Sequence, residues 1–230
     1  MENLYWREAD EPKAEFRVPD EIFDLVFAVR GQRLDIDHAF ALAEALRLHL
    51  DAAVCERIGV HGVHLAGSGN GWNRPEQGDA DIPLSRRARL VIRAHRDDYD
   101  AIATICEQTL HLGSQQLQVG ACSTRKLSSL ASLHARAVCC DREQSEPEFL
   151  AQTAAALRRL DIEVARMICG RSSEIRTAAG SLFTRALLVA DLKPEESVRL
   201  QQQGLGDNRM LGCGLFVPHR GIDAVYTAQE

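Results

Sequence analysis

At 230 residues the chain can bury a sizeable core, as one large domain or as two of about 100 residues each. Its net charge of −6 argues against indiscriminate nucleic-acid binding, which calls for a basic face. The seven cysteines lie mostly in apolar runs and include no Cys-x-x-Cys pair, so they read as buried thiols of a reducing cytoplasm and not as a zinc site. The N-terminus lacks the apolar core of a signal peptide and no run approaches the length of a membrane span, so the expected setting is the cytoplasm, with no membrane partner.

Residues 1–20 form a polar arm with Pro12 and Pro19, in which acidic residues far outnumber Arg7, Lys13 and Arg17. Ile22–Val29 is rich in β-branched and aromatic residues and stops at Gly31, the pattern of a strand. Asp35 or Asp37 can cap a helix from about His38 to Leu50, along which Leu42, Leu46 and Leu50 share a face. Val60–Ala66 reads as a strand that enters a flexible loop at 67–75 carrying Trp72. A strand at Ala88–Ala94, a helix at Asp97–Thr109 and a strand at Gln116–Gly120 complete a β-α-β-β-α-β unit of ferredoxin-like order.

After a polar joint at 123–129 the same order starts again. Leu133–Cys140 reads as a strand, Glu148–Leu160 as a helix opened by Pro147, and Val164–Cys169 and Leu182–Ala190 as strands flanking a polar reach at 170–180 that has room for a short strand. Glu195–Gln203 is the second helix and Leu215–Val217 the last strand. The fold class is therefore α+β, two tandem ferredoxin-like units. The arm occupies 1–20, the first unit 21–122 and the second 130–225.

The most informative stretch is 204–221, where five glycines and two arginines surround a short apolar run. It follows a helix and precedes a strand, the reverse of the dinucleotide fingerprint, in which a strand feeds a glycine turn that opens a helix. A loop built from Gly204, Gly206, Asn208, Arg209, Gly212 and Gly214 offers peptide N–H groups and a guanidinium to an anion. A plain glycine-rich connection has the same composition.

Four stretches resemble the repeat-cleaving CRISPR endoribonucleases of the RAMP superfamily, in the branch associated with myxobacterial-type class 1 systems. They are Asp24–Gly31, Asp37–Leu42, Gly59–Val63 and, above all, Gly204–Pro218. The resemblance implies a protein that binds the stem-loop of a CRISPR repeat and cuts it once, without metal or other cofactor. The attacking group would be the ribose 2′-hydroxyl, leaving a 2′,3′-cyclic phosphate, so DNA is not an expected substrate. Other subunits of a CRISPR effector complex are further expected partners. Two alternatives stand beside this reading: a non-catalytic guide-RNA-binding subunit of such a complex, and a ligand-binding ferredoxin-like regulator.

Within the matching motif His38 is the expected catalytic group, since one histidine can exchange protons near neutral pH and a helix start disfavours its charged form. His61 and His64 are runners-up, although an odd separation on a strand sends them to opposite faces. The expected RNA contacts are Arg166, Arg171 and Arg176 around the second unit's hairpin, Arg125 and Lys126 at the joint, Arg209 with Gly204, Gly206, Gly212 and Gly214, and His219 and Arg220 beyond them. The arginines read equally as a solvated charged hairpin, and Trp72 either stacks an unpaired base or folds over the core edge.

Overall fold

The computed structural model describes residues 16–63 and 81–219. The arm up to residue 15, the loop around Trp72, His64 and Arg220 lie outside them. Chain order begins with β1 (Ile22–Arg30), β2 (Arg33–Asp35), α1 (Ala39–Arg47), α2 (Ala52–Arg57), β3 (Gly59–Val60), β4 (Asp81–Pro83), β5 (Arg89–His95), α3 (Tyr99–Ala103), β6 (Thr109–Leu112) and β7 (Gln115–Lys126). It continues with β8 (Leu133–Cys139), α4 (Glu146–Arg159), β9 (Arg166–Thr177), β10 (Gly180–Ala190), α5 (Pro194–Gln203) and β11 (Phe216–Pro218).

Two antiparallel sheets dominate, in the orders β3-β5-β1-β7-β6 and β11-β8-β10-β9. Read from its other side, and leaving out β6, the first sheet runs β7-β1-β5-β3. Both sheets then place the fourth strand of a β-α-β-β-α-β unit beside the first, followed by the third and the second. This is the ferredoxin-like arrangement twice over. A short ladder of β2 with β4 stands apart.

Alternation along β1 shows why the first sheet packs as it does. Phe23, Leu25, Phe27 and Val29 point into one apolar core with Leu42 and Leu46 of α1, while Asp24 points the other way. A second core gathers Leu133, Phe149, Leu157, Leu187, Val189 and Phe216. Both long helices of the second unit open alike: proline stands in the first turn, and a glutamate reaches back to the backbone N–H of the preceding residue. These bonds are Ser145 to Glu148 at 2.9 Å and Lys193 to Glu196 at 2.8 Å.

Several sequence expectations change. The helix expected over 38–50 ends at Arg47, and a separate α2 begins after Asp51. Neither Asp35 nor Asp37 caps it: His38 is the cap residue, Asp35 accepts the Asp37 N–H at 2.8 Å, and Asp37 is taken by another element. The helix expected to reach Thr109 stops at Ala103. Glu107 adopts a left-handed φ of 61°, and Leu110 and Leu112 are buried in alternation on β6, which pairs with β7. The polar joint is in part strand, for Ser123–Lys126 continue β7 and pair with Val26–Phe23 of β1. Its polarity misleads because ladder bonds join backbones and make no demand on an exposed side chain. The reach at 170–180 is likewise mostly strand, since β9 runs to Thr177 against β10. All seven cysteines are free thiols, two buried and five half-buried.

Candidate active site and RNA interface

His38 sits immediately before α1 and is 5% exposed. Its Nδ1 lies 2.8 Å from the Asp35 carbonyl, and its Nε2 accepts the Val63 N–H at 2.9 Å. A carbonyl only accepts and an amide N–H only donates, so these partners assign the neutral tautomer with its proton on Nδ1. The segment that follows β3 is thereby pinned to the start of α1. A Cβ on Gly62 would stand 3.3 Å from the same Nε2.

The second unit reaches this corner through β9. Asp37 accepts both the backbone N–H of Arg176, at 2.9 Å, and its Nε, at 3.1 Å, while Asp35 lies 3.9 Å from the guanidinium. The Arg176 side chain is half exposed to solvent. One arginine expected to grip RNA thus holds the residue adjoining His38.

A second tie crosses between the sheets in the interior. Arg93, 1% exposed on β5, donates from Nε to Asp24 at 2.8 Å and from Nη1 to the carbonyls of Gln201 and Phe216 at 2.9 and 2.8 Å. Asp24 also accepts Arg125 Nη2 at 2.9 Å and faces His61 Nε2 at 3.8 Å. Burial would push the Asp24 carboxyl up, but the charge and hydrogen bonds of Arg93, with help from His61 and Arg125, outweigh it and hold the group below its ordinary 3.8.

The glycine-rich loop closes on itself. Leu205 N–H donates to the Gly214 carbonyl at 3.0 Å, and a Cβ on Gly214, whose φ is +66°, would fall 1.9 Å from the Leu205 carbonyl oxygen. Only glycine tolerates that approach. Met210 from the loop enters the first unit's core, which seats the loop against β3 and α1. Arg209 turns inward: its guanidinium donates to the carbonyls of Gln202 and Gln203 at the end of α5, and burial, followed by the charge of Arg93, lowers its pKa. Gly204 and Gly214 are buried and Gly212 half-buried, whereas Gly206 is exposed with nothing within 4 Å of a Cβ position. Between the loop and the far end of α1 lies a cavity of about 460 Å³, lined in part by Arg47, Leu50, Ile58, Asn208 and Met210.

The remaining candidates are spread out. Arg125, Lys126, Arg166 and Arg171 are exposed, with Arg166 paired to Asp191. His219 is exposed, and its ring lies 6.1 Å from that of His134. Among the described residues no three His, Cys, Asp or Glu side chains come together as metal ligands, and no helix is long and apolar enough to cross a membrane.

Known proteins share this fold. A family model described as Cas6 Crispr matches residues 23–221. The chain is 30% identical over 195 residues to the CRISPR-associated endonuclease Cas6 of Myxococcus xanthus strain DK1622, covering 85% of this chain and 80% of that one. The chain belongs to the Cas6 family. Among solved structures, a CRISPR-associated protein Cas6 superposes with a TM-score of 0.58 at 10% identity, covering 87% of this chain and 100% of the other. A Cas6-related protein from Pyrococcus furiosus gives 0.56 at 10% identity, covering 85% and 97%. At such identities the Cas6 structures speak for the fold.

Within this Cas6 chain, sequence reasoning did not see the pairing of Asp24 with Arg93. Both residues interrupt apolar strands, Asp24 in Ile-Phe-Asp-Leu-Val and Arg93 in Leu-Val-Ile-Arg-Ala. Two opposite charges, each set between apolar neighbours inside a strand of the same sheet, are the signal that could have found it.

Proposed function

We propose that this chain is an endoribonuclease that binds the stem-loop of CRISPR repeat RNA and cuts precursor transcripts into guide RNAs in the cytoplasm. The observation that carries the reading is the match to the Myxococcus xanthus endonuclease over 85% of the chain. The reaction needs no metal: the ribose 2′-hydroxyl attacks the adjacent phosphorus, the bond to the 5′-oxygen breaks, and a 2′,3′-cyclic phosphate and a 5′-hydroxyl remain.

His38 is the base in this reading. Its imidazole is neutral, and Nε2 becomes the proton acceptor once the 2′-hydroxyl takes the place of the Val63 N–H. Asp35 keeps the proton on Nδ1 and so keeps the tautomer that the step requires. The RNA stem lies along β9, where Arg166, Arg171 and Arg176 meet phosphates, with Arg125 and Lys126 of β7 and His219 contributing at the margins. Gly206 is the point of the loop where an RNA backbone approaches most closely, while Gly204, Gly212 and Gly214 shape the loop from within. Arg209 supports the end of α5 and makes no RNA contact in its inward pose.

One observation favours the other reading, a subunit that holds guide RNA for a CRISPR effector complex without cutting. His38 is buried, with backbone partners on both ring nitrogens. Incubation of the protein with labelled repeat RNA in EDTA separates the two. A single cut that slows about 10²–10⁴-fold in His38→Ala, with RNA still bound, supports the endonuclease. Tight binding of intact RNA supports the holder.

A further inference from the structure

We propose that Cys139 and Cys213 form a dithiol site that a peroxide oxidises to a disulfide, joining the glycine-rich loop covalently to β8. The inference is independent of the cleavage reading, and its test involves no RNA.

Three contacts bring the loop to the end of β8. The Gly214 N–H donates to the Ala137 carbonyl at 2.7 Å, the Cys213 N–H to the Asn208 carbonyl at 3.2 Å, and Asn208 Nδ2 to Cys139 Sγ at 3.8 Å. Asn208 thus touches both cysteines, one through its backbone and the other through its side chain. The two thiols also share a hydrogen bond with each other. Cys213 is fully buried, whereas Cys139, the last residue of β8, is only half-buried and still meets solvent.

The partners are not equivalent. The hydrogen bond from Cys213, with that from Asn208, stabilises the Cys139 thiolate and brings its pKa from the ordinary 9.0 down to about 7, although burial and the nearby Asp207 push the other way. The same bond, followed by burial, pushes Cys213 up and keeps it protonated. Burial is also the main cause that raises Cys55, Cys106 and Cys140. Oxidation selects thiols by thiolate character and exposure, so Cys139 is the group that attacks peroxide. Cys213, too deep to meet the oxidant itself, is placed to resolve the product.

The Cys139 thiolate attacks one oxygen of the peroxide, the O–O bond breaks, and hydroxide leaves as Cys139 becomes a sulfenic acid. Sulfur is oxidised and the peroxide reduced. The Cys213 sulfur then bonds to Cys139 Sγ, the S–O bond breaks, and the departing hydroxyl leaves as water with the Cys213 proton. Met210 of the same loop sits in the first unit's core, so the new bond straps the second sheet to the first unit.

Mass spectrometry of the full chain tests the assignment. The reduced protein, freed of reductant, is treated with stoichiometric hydrogen peroxide, denatured in iodoacetamide and digested without reduction. A cross-link from Cys139 to Cys213 should form ahead of any other, lightening the chain by two hydrogen atoms, and dithiothreitol should reverse it. In Cys213→Ser the cross-link should be lost, and dimedone should instead trap a sulfenic acid on Cys139. The cross-link is read in the unmodified protein and so does not depend on either cysteine variant folding. Cys139→Ser should yield neither the cross-link nor the trapped acid at that position. Intact thiols at Cys139 and Cys213 after treatment, a first disulfide that includes any other cysteine, or a Cys139 sulfenic acid that persists in the unmodified protein overturns the proposal.

Discussion

Two aspartate–arginine ties join the halves of this molecule, and they differ in almost everything except residue type. Asp24–Arg93 is buried, joins two strands of the first sheet, and spends the arginine's remaining donors on carbonyls of the second unit. Asp37–Arg176 crosses directly from one unit to the other beside His38, with the guanidinium half in water. A charge removed from water is costly to leave unpaired, so the first tie fixes how the units sit. A pair in water contributes little and exchanges partners easily, so the second can be surrendered to a phosphate. Location, more than chemistry, separates a structural contact from one available to a ligand.

The largest effect expected from this contrast is on stability. Arg93→Met leaves the Asp24 carboxylate buried beside only Arg125 and His61, and should lower unfolding free energy by about 3–5 kcal/mol in urea titrations. Adding Asp24→Asn to it should recover part of the loss, because the stranded charge is then gone. A loss near zero for Arg93→Met would break the contrast.

Acid should expose the same tie. The Asp24 carboxyl is held below its ordinary value in the folded chain, so its contribution is present above about pH 4 and is lost as pH falls through the depressed value. Comparing the pH dependence of unfolding in the parent and in Asp24→Asn should show the difference between them shrinking only in that acid window. Equal slopes there would remove Asp24 from the account of stability.

Arg176→Ala should be the mildest change to the fold, within about 1 kcal/mol. Its effect belongs to RNA: affinity should fall and the slope of log affinity against log salt should flatten by about 1, as for one lost phosphate contact. An unchanged slope with weaker cleavage would mean that Arg176 serves only to hold Asp37.

The sequence made strands β1, β5 and β8 legible because each is a mainly apolar run, alternating in burial along much of β1 and β8 and buried from Leu90 to Ala94 in β5. The short strands β2, β4 and β6 escaped, since three or four residues carry too little pattern to stand out from a loop. The glycine-rich loop was visible as a special stretch, but the reason for its glycines was not. Gly214 is required by the Leu205 carbonyl, a contact within the loop. Arg209 shows a similar gap: sequence marks a guanidinium beside glycines, and only the packing of α5 decides that it points inward. His38 was legible as a candidate through its motif, whereas the partners that set its tautomer, Asp35 and Val63, belong to turns whose geometry no spacing rule describes.

The central claim is that this chain cleaves repeat RNA through its own 2′-hydroxyl, and end-group analysis in EDTA tests it most directly. Cognate repeat RNA should yield one upstream fragment ending in a 2′,3′-cyclic phosphate and one downstream fragment with a 5′-hydroxyl. A single 2′-deoxy substitution at the cut site should abolish the products while leaving affinity nearly unchanged. Products carrying a 5′-phosphate, or undiminished cleavage of the deoxy-substituted RNA, would contradict the account.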